Sequence, residues 1–142
     1  MIKKTDQAAI DVAAGVLLDA QSRVLIAQRP AGKYQAGWWE FPGGKIRSAE
    51  SPRQALAREL HEELGIKVQQ ARSLLTYTHV YPERAVTLHI WQVTEFDGQP
   101  TGIEDQPLRW IPVSELMDAG LLPADLPVIE VLQQMVSLNS TL

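Results

Sequence analysis

The feature that most restricts the fold is a helix with a defined start and a defined end, in residues 51–65. Ser51 is a favoured N-cap residue, Pro52 suits the first helical turn, and Gln54 completes a capping box. Gly65 is the residue type at which helices commonly stop. An apolar stripe runs along the segment, formed by Leu56, Leu60 and Leu64. The sequence therefore predicts a helix over Ser51–Leu64 whose leucine face packs on a core.

A second stripe of the same helix is acidic. Glu59, Glu62 and Glu63 are spaced at i, i+3 and i+4, so their side chains lie close together on one face. Each close pair of like charges destabilises an isolated helix by about 0.2–0.5 kcal/mol. The stripe is either a solvated face, relieved by Arg58 pairing with Glu62, or a ligand set for a divalent cation. Carboxylate oxygens are the donors that Mg²⁺ and Mn²⁺ prefer.

Strands are expected on both sides of this helix. Residue alternation and turn residues indicate them at Asp11–Leu18, Val24–Ala27, near Trp39–Phe41, and at Ser73–Tyr81, Ala85–Thr94 and Trp110–Ile111. Two more helices are expected at Val113–Ala119 and Leu126–Leu138. Five or six strands with three helices are typical of an α/β or α+β fold, with helices on both faces of a sheet. Without a repeat or linker, residues 1–142 are expected to form one domain.

Charge and composition exclude several classes of protein. The formal net charge of −4 argues against binding a nucleic-acid polymer, which needs a basic surface. The chain has no cysteine, so neither a disulfide framework nor a thiolate metal site is possible. The apolar stretch Ala13–Ala20 is too short to span a membrane, and residues 1–10 lack an apolar leader segment. We therefore expect a cytoplasmic protein without membrane contact.

The residues around the acidic stripe complete a longer motif. Residues 44–66 match the pattern GX5EX7REUXEEXGU, in which U is a bulky apolar residue, at every fixed position. The positions are filled by Gly44, Glu50, Arg58, Glu59, Leu60, Glu62, Glu63, Gly65 and Ile66. This pattern is the Nudix box, and the chain resembles the Nudix hydrolases. The resemblance implies an α/β/α sandwich with a mixed β-sheet. It also implies a loop–helix–loop that binds Mg²⁺, with Mn²⁺ as an alternative, and cleaves a pyrophosphate linkage.

Outside the box, the chain resembles MutT-type nucleoside triphosphate pyrophosphohydrolases and the related CTP pyrophosphohydrolase branch. The likeness covers about residues 13–131, and the segments WEFPGGKI (39–46), YPER (81–84) and PADLPVI (123–129) carry much of it. It implies hydrolysis of oxidised nucleoside triphosphates, with 8-oxo-dGTP as the expected substrate, to the monophosphate and pyrophosphate. Such sanitisation of the nucleotide pool serves DNA replication and repair. A monomer or weak homodimer is expected.

The resemblance also implies roles for single residues. The metal ligands implied are the carbonyl of Gly43 and the carboxylates of Glu59, Glu62, Glu63 and Glu104. Substrate contacts are implied for Arg29, Phe41, Lys45, Arg84 and Asp125. Arg58 and Glu50 are expected to orient the motif, with Arg58 counted among the catalytic residues. Which of Glu59, Glu63 and Glu104 accepts the proton of the attacking water stays open.

Asp125 is a departure from the MutT pattern, which has asparagine at the base-reading position. An ionised aspartate only accepts hydrogen bonds, whereas a protonated one also donates. A preference for CTP or dCTP is therefore an alternative, and so is a purely structural cap of the helix at Leu126. Hydrolysis of nucleotide sugars, ADP-ribose or dinucleoside polyphosphates is a further alternative. The alternative from another class is a catalytically silent nucleotide-binding module, against which the intact acidic stripe argues.

Overall fold

Two β-sheets make up the centre of the protein in the computed structural model, which describes residues 10–140. The described residues contain seven strands: β1 Ile10–Leu17, β2 Arg23–Gln28, β3 Trp39–Glu40, β4 Gly43–Lys45, β5 Lys67–Val80, β6 Ala85–Asp97 and β7 Leu108–Pro112. One sheet has the order β4-β1-β6-β5 and the other the order β3-β2-β7. The larger sheet is mixed, as expected, because β1 pairs in parallel with β6 and antiparallel with β4. The interpretation of residues 1–9 as lacking a leader lies outside the described residues.

Two α-helices and two 3₁₀ helices complete the described part of the fold. The α-helices are α1 Pro52–Leu64 and α2 Leu126–Ser140, and the 3₁₀ helices are Val113–Asp118 and Pro123–Asp125. The prediction of an ordinary helix at Val113–Ala119 was wrong in helix type. This segment follows Pro112 without a side-chain cap and ends before Gly120, which has φ +84°. Only seven residues separate this proline from the left-handed glycine, and short connecting segments of this kind commonly form 3₁₀ turns.

The ends of α1 follow the prediction from the sequence. The Ser51 hydroxyl accepts a hydrogen bond from the Gln54 N–H (3.1 Å), and the Gln54 side chain accepts one from the Ser51 N–H (2.8 Å). At the other end, Gly65 has φ +71° and donates its N–H to the His61 carbonyl at 3.0 Å. The capping box and the glycine stop are therefore both confirmed.

The core lies on both faces of the sheets, because successive residues of β1 point in opposite directions. Ala13 and Leu17 belong to the cluster that contains the buried leucines of α1. Ala14 and Val16 belong to the second cluster, which contains Val128, Ile129 and Leu132 of α2. The two helices thus cover opposite faces, which confirms the expected sandwich with helices on both sides. Among the described residues, no helix combines the length and apolar character needed to cross a membrane.

Candidate active site

Strand β4 brings the glycine-rich segment against the acidic face of α1. In β4, Gly44 pairs with Ala13 of β1. A Cβ atom added at Gly44 would lie 2.4 Å from the Glu59 carboxyl carbon, and one at Gly43 would lie 2.1 Å from the Ala13 carbonyl oxygen. A side chain at Gly43 would therefore collide with the backbone of β1, and one at Gly44 would force the Glu59 carboxylate to shift. The two glycines therefore allow the backbone of β4 to lie directly beside the Glu59 carboxylate.

Arg58 organises the carboxylates on this side of the helix. Its Nε and Nη2 donate to the two oxygens of Glu50 at 2.6 and 2.9 Å, a bidentate geometry that only arginine provides. Nη1 donates to Glu59 at 2.8 Å and to Glu62 at 3.4 Å, and Nη2 also reaches the Lys45 carbonyl at 3.0 Å. The hydrogen bonds from Arg58 lower the pKa of Glu50 to about 2. Arg58 thus connects the loop before the helix to the acidic stripe.

The three acids of the stripe have different surroundings. Glu63 is largely buried, and burial, followed by a hydrogen bond with Glu59, raises its pKa well above the ordinary range. The charge of Glu104, an acid in a loop, contributes to the same rise in the pKa of Glu63. Glu62 points outward, with 45% of its side chain exposed and Arg47 3.8 Å away. Glu59 and Glu63 thus form a close pair of acids that either a shared proton or a cation stabilises.

A cavity of about 530 Å³ opens beside this pair. Its lining includes every predicted substrate residue: Arg29, Phe41, Lys45, Arg84 and Asp125. The lining also includes most predicted metal ligands: Gly43, Glu59, Glu63 and Glu104. Glu62 and Arg58 are outside this lining. Residues as distant in sequence as Arg29 and Asp125 therefore line one pocket together with the predicted metal ligands.

Arg29 and Glu40 form an ion pair in the wall of the pocket. Arg29 Nη1 donates to Glu40 at 2.8 Å, and Arg29 Nε donates to the Tyr34 carbonyl at 2.7 Å. Burial raises the pKa of Glu40, and the charge of Arg29 opposes this effect. The pair holds the Arg29 guanidinium at the pocket surface, where its remaining N–H groups face incoming anions.

Asp125 lines the same pocket as the acidic pair. It is only 4% exposed, and its Oδ2 atom has no hydrogen-bond partner among the described residues. The Phe41 N–H donates to the carboxyl group, but burial and the charge of Glu40 together raise the pKa of Asp125 to about 8. The next residue back is fixed by Tyr77, whose hydroxyl donates to the Ala124 carbonyl at 2.7 Å. The carboxyl group thus turns towards Phe41 and the pocket, which disfavours the alternative of a helix cap.

Comparison with known proteins identifies the family. The family model described as NUDIX domain matches residues 13–131. The chain belongs to the Nudix hydrolase family.

Individual Nudix relatives are similar over most of their length. The Escherichia coli K12 protein named CTP pyrophosphohydrolase is 41% identical over 121 residues, covering 85% of this chain and 89% of the relative. The Proteus vulgaris protein named 8-oxo-dGTP diphosphatase is 47% identical over 96 residues, or 68% and 86% of the two chains. A solved MutT structure, from work on the Aliivibrio salmonicida and Vibrio cholerae proteins, superposes with a TM-score of 0.77 at 36% identity. It covers 89% of this chain and 99% of its own.

The Nudix box alone did not indicate every residue of the pocket. Glu40, Lys33, Tyr34 and Gln106 also line it, and no role was predicted for any of them. Glu40 had a detectable signal, since it is an acid between two aromatic residues in a short strand. The others lie in loops whose path depends on tertiary contacts. Tyr81, from the segment 81–84, also belongs to the lining.

Proposed function

We propose that this Nudix hydrolase converts nucleoside triphosphates to the monophosphate and pyrophosphate, with 8-oxo-dGTP as the preferred substrate. The observation that carries the proposal is the single pocket that joins the Glu59–Glu63 pair to Asp125. Its lining is suited to both parts of a nucleotide, because it offers carboxylates for a metal–phosphate group and a buried hydrogen-bonding group for the base. All five residues predicted to contact substrate line this pocket.

The carboxylates fit a divalent metal ion, which Nudix hydrolases generally need. No ready-made group of three acids or histidines converges on one point within residues 10–140. The pair of Glu59 and Glu63, whose interaction raises the pKa of Glu63, nevertheless places two hard oxygen donors in one pocket lining, beside a glycine whose backbone lies against Glu59. We assign Mg²⁺, with Mn²⁺ as an alternative, to the carboxylates of Glu59, Glu62, Glu63 and Glu104 and the carbonyl of Gly43. When bound, the ion neutralises charge on the phosphate oxygens.

The remaining side chains bind and orient the substrate. The cavity is lined by four basic side chains, Arg29, Lys33, Lys45 and Arg84. It is also lined by five acidic ones, Glu40, Glu59, Glu63, Glu104 and Asp125. A triphosphate is expected to enter as its metal complex, with the carboxylates facing the metal and the basic groups contacting the phosphates or the sugar. One of Glu59, Glu63 and Glu104 accepts the proton of the attacking water, and Arg58 and Glu50 hold the helix in register.

Asp125 supports a choice of base. With a pKa of about 8, its carboxyl group is neutral at pH 7 and offers a donor beside an acceptor. In this state it resembles the asparagine of the MutT pattern, which favours 8-oxo-dGTP. The ionised form only accepts, which suits the exocyclic amino group of cytosine, so CTP and dCTP are the second candidates. The relatives bear both names.

A substrate panel tests the proposal. Pyrophosphate release is measured with Mg²⁺, and then with Mn²⁺, from 8-oxo-dGTP, dGTP, CTP and dCTP, and release of AMP and ribose 5-phosphate is measured from ADP-ribose. We expect kcat/KM to be highest for 8-oxo-dGTP at pH 7, with cytidine nucleotides gaining as the pH rises above 8. Turnover of ADP-ribose alone would overturn the proposal, and tight nucleotide binding without turnover would identify a silent module. Light scattering of the same sample tests the monomer or weak homodimer that we also propose.

A further inference from the structure

The loop between β6 and β7 is attached to the end of α1. Thr101 donates its N–H to the Leu64 carbonyl at 3.0 Å, and Ile103 donates its N–H to the Glu63 carbonyl at 3.1 Å. These carbonyls belong to the last turn of the helix, which has no partners of its own for them. The loop therefore serves as the C-terminal cap of the helix that carries the acidic stripe.

The side chain of Gln106 makes a second link between the same two elements. Its Nε2 donates to the Glu63 carbonyl at 2.9 Å, and its Oε1 accepts the N–H of Glu104 at 2.9 Å. One primary amide thus joins the peptide groups of two acids that line the pocket. A carboxylate in its place would accept but not donate, and an apolar side chain would do neither.

The loop itself is a closed turn that fixes where Glu104 lies. Asp105 has φ +64° and donates its N–H to the Gly102 carbonyl at 2.9 Å. A Cβ atom at Gly102 would lie only 2.3 Å from the Gln106 carbonyl oxygen. The two sides of the turn therefore approach as closely as glycine permits, with Glu104 at the apex and Gln106 at the base.

We propose that Gln106 is a positioning residue that sets the placement of Glu104 relative to Glu63 and thereby governs divalent-cation binding. This inference rests on the proposed function, because it takes Glu63 and Glu104 to be metal ligands. Gln106 itself acts through the peptide groups on which these carboxylates are carried. Its amide joins the loop between β6 and β7 to α1, as the Arg58 guanidinium joins the loop before α1 to the acidic stripe.

The test is a double-mutant cycle in which Mn²⁺ binding is measured by electron paramagnetic resonance in the absence of nucleotide. Gln106→Met keeps the side-chain length but removes both hydrogen bonds, and we expect Mn²⁺ affinity to fall about tenfold. Glu104→Gln is expected to weaken binding as well. The double variant is expected to bind no more weakly than Glu104→Gln, since Gln106 acts through Glu104. Gln106→Glu keeps only the acceptor, and its Mn²⁺ affinity is expected to lie between those of the wild type and Gln106→Met.

A matched control is Gln133→Met. Gln133 is another half-buried glutamine whose amide donates to a backbone carbonyl, that of Val113 at 3.2 Å, but it lies in α2, outside the pocket lining. It is expected to change thermal stability without changing Mn²⁺ affinity. Unchanged affinity in Gln106→Met, additive losses in the double variant, or no effect of Glu104→Gln would each overturn the inference. None of these results affects the substrate panel, which fails separately if no triphosphate is hydrolysed.

Discussion

The cluster around Arg58 and the surroundings of Asp125 shift the pKa values of their acids in opposite directions. Glu50 receives two hydrogen bonds from one guanidinium and has its pKa lowered to about 2. Asp125 receives a backbone N–H, has one oxygen without a partner, and has its pKa raised to about 8. The first region keeps a carboxylate charged and the second keeps a carboxyl group protonated. The comparison indicates that the Arg58 cluster, outside the pocket lining, holds charge, whereas Asp125, within the lining, is a neutral group that can donate and accept hydrogen bonds.

The largest expected effect is at Glu59, one of the acids that line the pocket. Glu59→Gln removes the charge that the proposed metal site and the Arg58 contact both use, so we expect turnover to fall by two or more orders of magnitude. Pyrophosphate release from the best substrate measures the rate, and circular dichroism checks that the fold is retained. Glu115→Gln, at an exposed acid in a 3₁₀ helix, is the control and should behave as wild type. A near-normal rate for Glu59→Gln would remove Glu59 from the mechanism.

Asp125→Asn tests whether the Asp125 carboxyl group is protonated, through the dependence of the free energy of unfolding on pH. The folded protein holds the Asp125 proton up to about pH 8, whereas the unfolded chain loses it near the ordinary aspartate pKa of 3.8. This contribution to the free energy of unfolding is therefore fully present below about pH 4 and is lost as the pH rises towards 8. Asparagine stays neutral, so the variant should gain stability relative to wild type across this range, by a few kcal/mol at pH 8.

Urea unfolding of both proteins at pH 5, 6, 7 and 8 measures this difference. Asp118→Asn, at an exposed aspartate, serves as the control and should run parallel to wild type. Parallel curves for Asp125→Asn would mean that Asp125 is ionised in the folded protein. The same samples test base reading, because the substrate ranking of the variant should no longer change with pH.

The smallest expected effect is that of Arg58→Lys. Lysine keeps the charge but not the planar fork, so the contacts to Glu50, Glu59 and Lys45 cannot all be made at once. Because the site is partly exposed, we expect a loss of about 1 kcal/mol in the free energy of unfolding. Thermal and urea denaturation measure it, against Arg53→Lys on the same helix, where one hydrogen bond of 3.5 Å is at stake. Equal losses in the two variants would show that the Arg58 network adds no special stability.

How well the sequence predicts a feature depends on how far apart along the chain its interacting residues lie. Helix α1 was predicted from end to end because its cap, leucine stripe and stop all lie within fifteen residues. Strand β4 was missed, since Gly43–Lys45 has no alternation and is extended only because β1 pairs with it. The family pattern indicated the acids of the stripe, but not that the Glu62 side chain is 45% exposed while Glu63 is half-buried and lines the pocket. The link made by Gln106 joins positions 43 residues apart, which no local pattern encodes.

The close contact at Gly44 has a consequence for how the chain tolerates change. A hydrogen atom is all that separates the backbone from the Glu59 carboxylate at this point, so alanine already occupies the space of the carboxyl carbon. The mildest replacement available at position 44 therefore acts on the chemistry of the pocket as a replacement of Glu59 would, although it leaves every acid in place. Inactive variants will be found here whose composition, charge and ligand set all look intact.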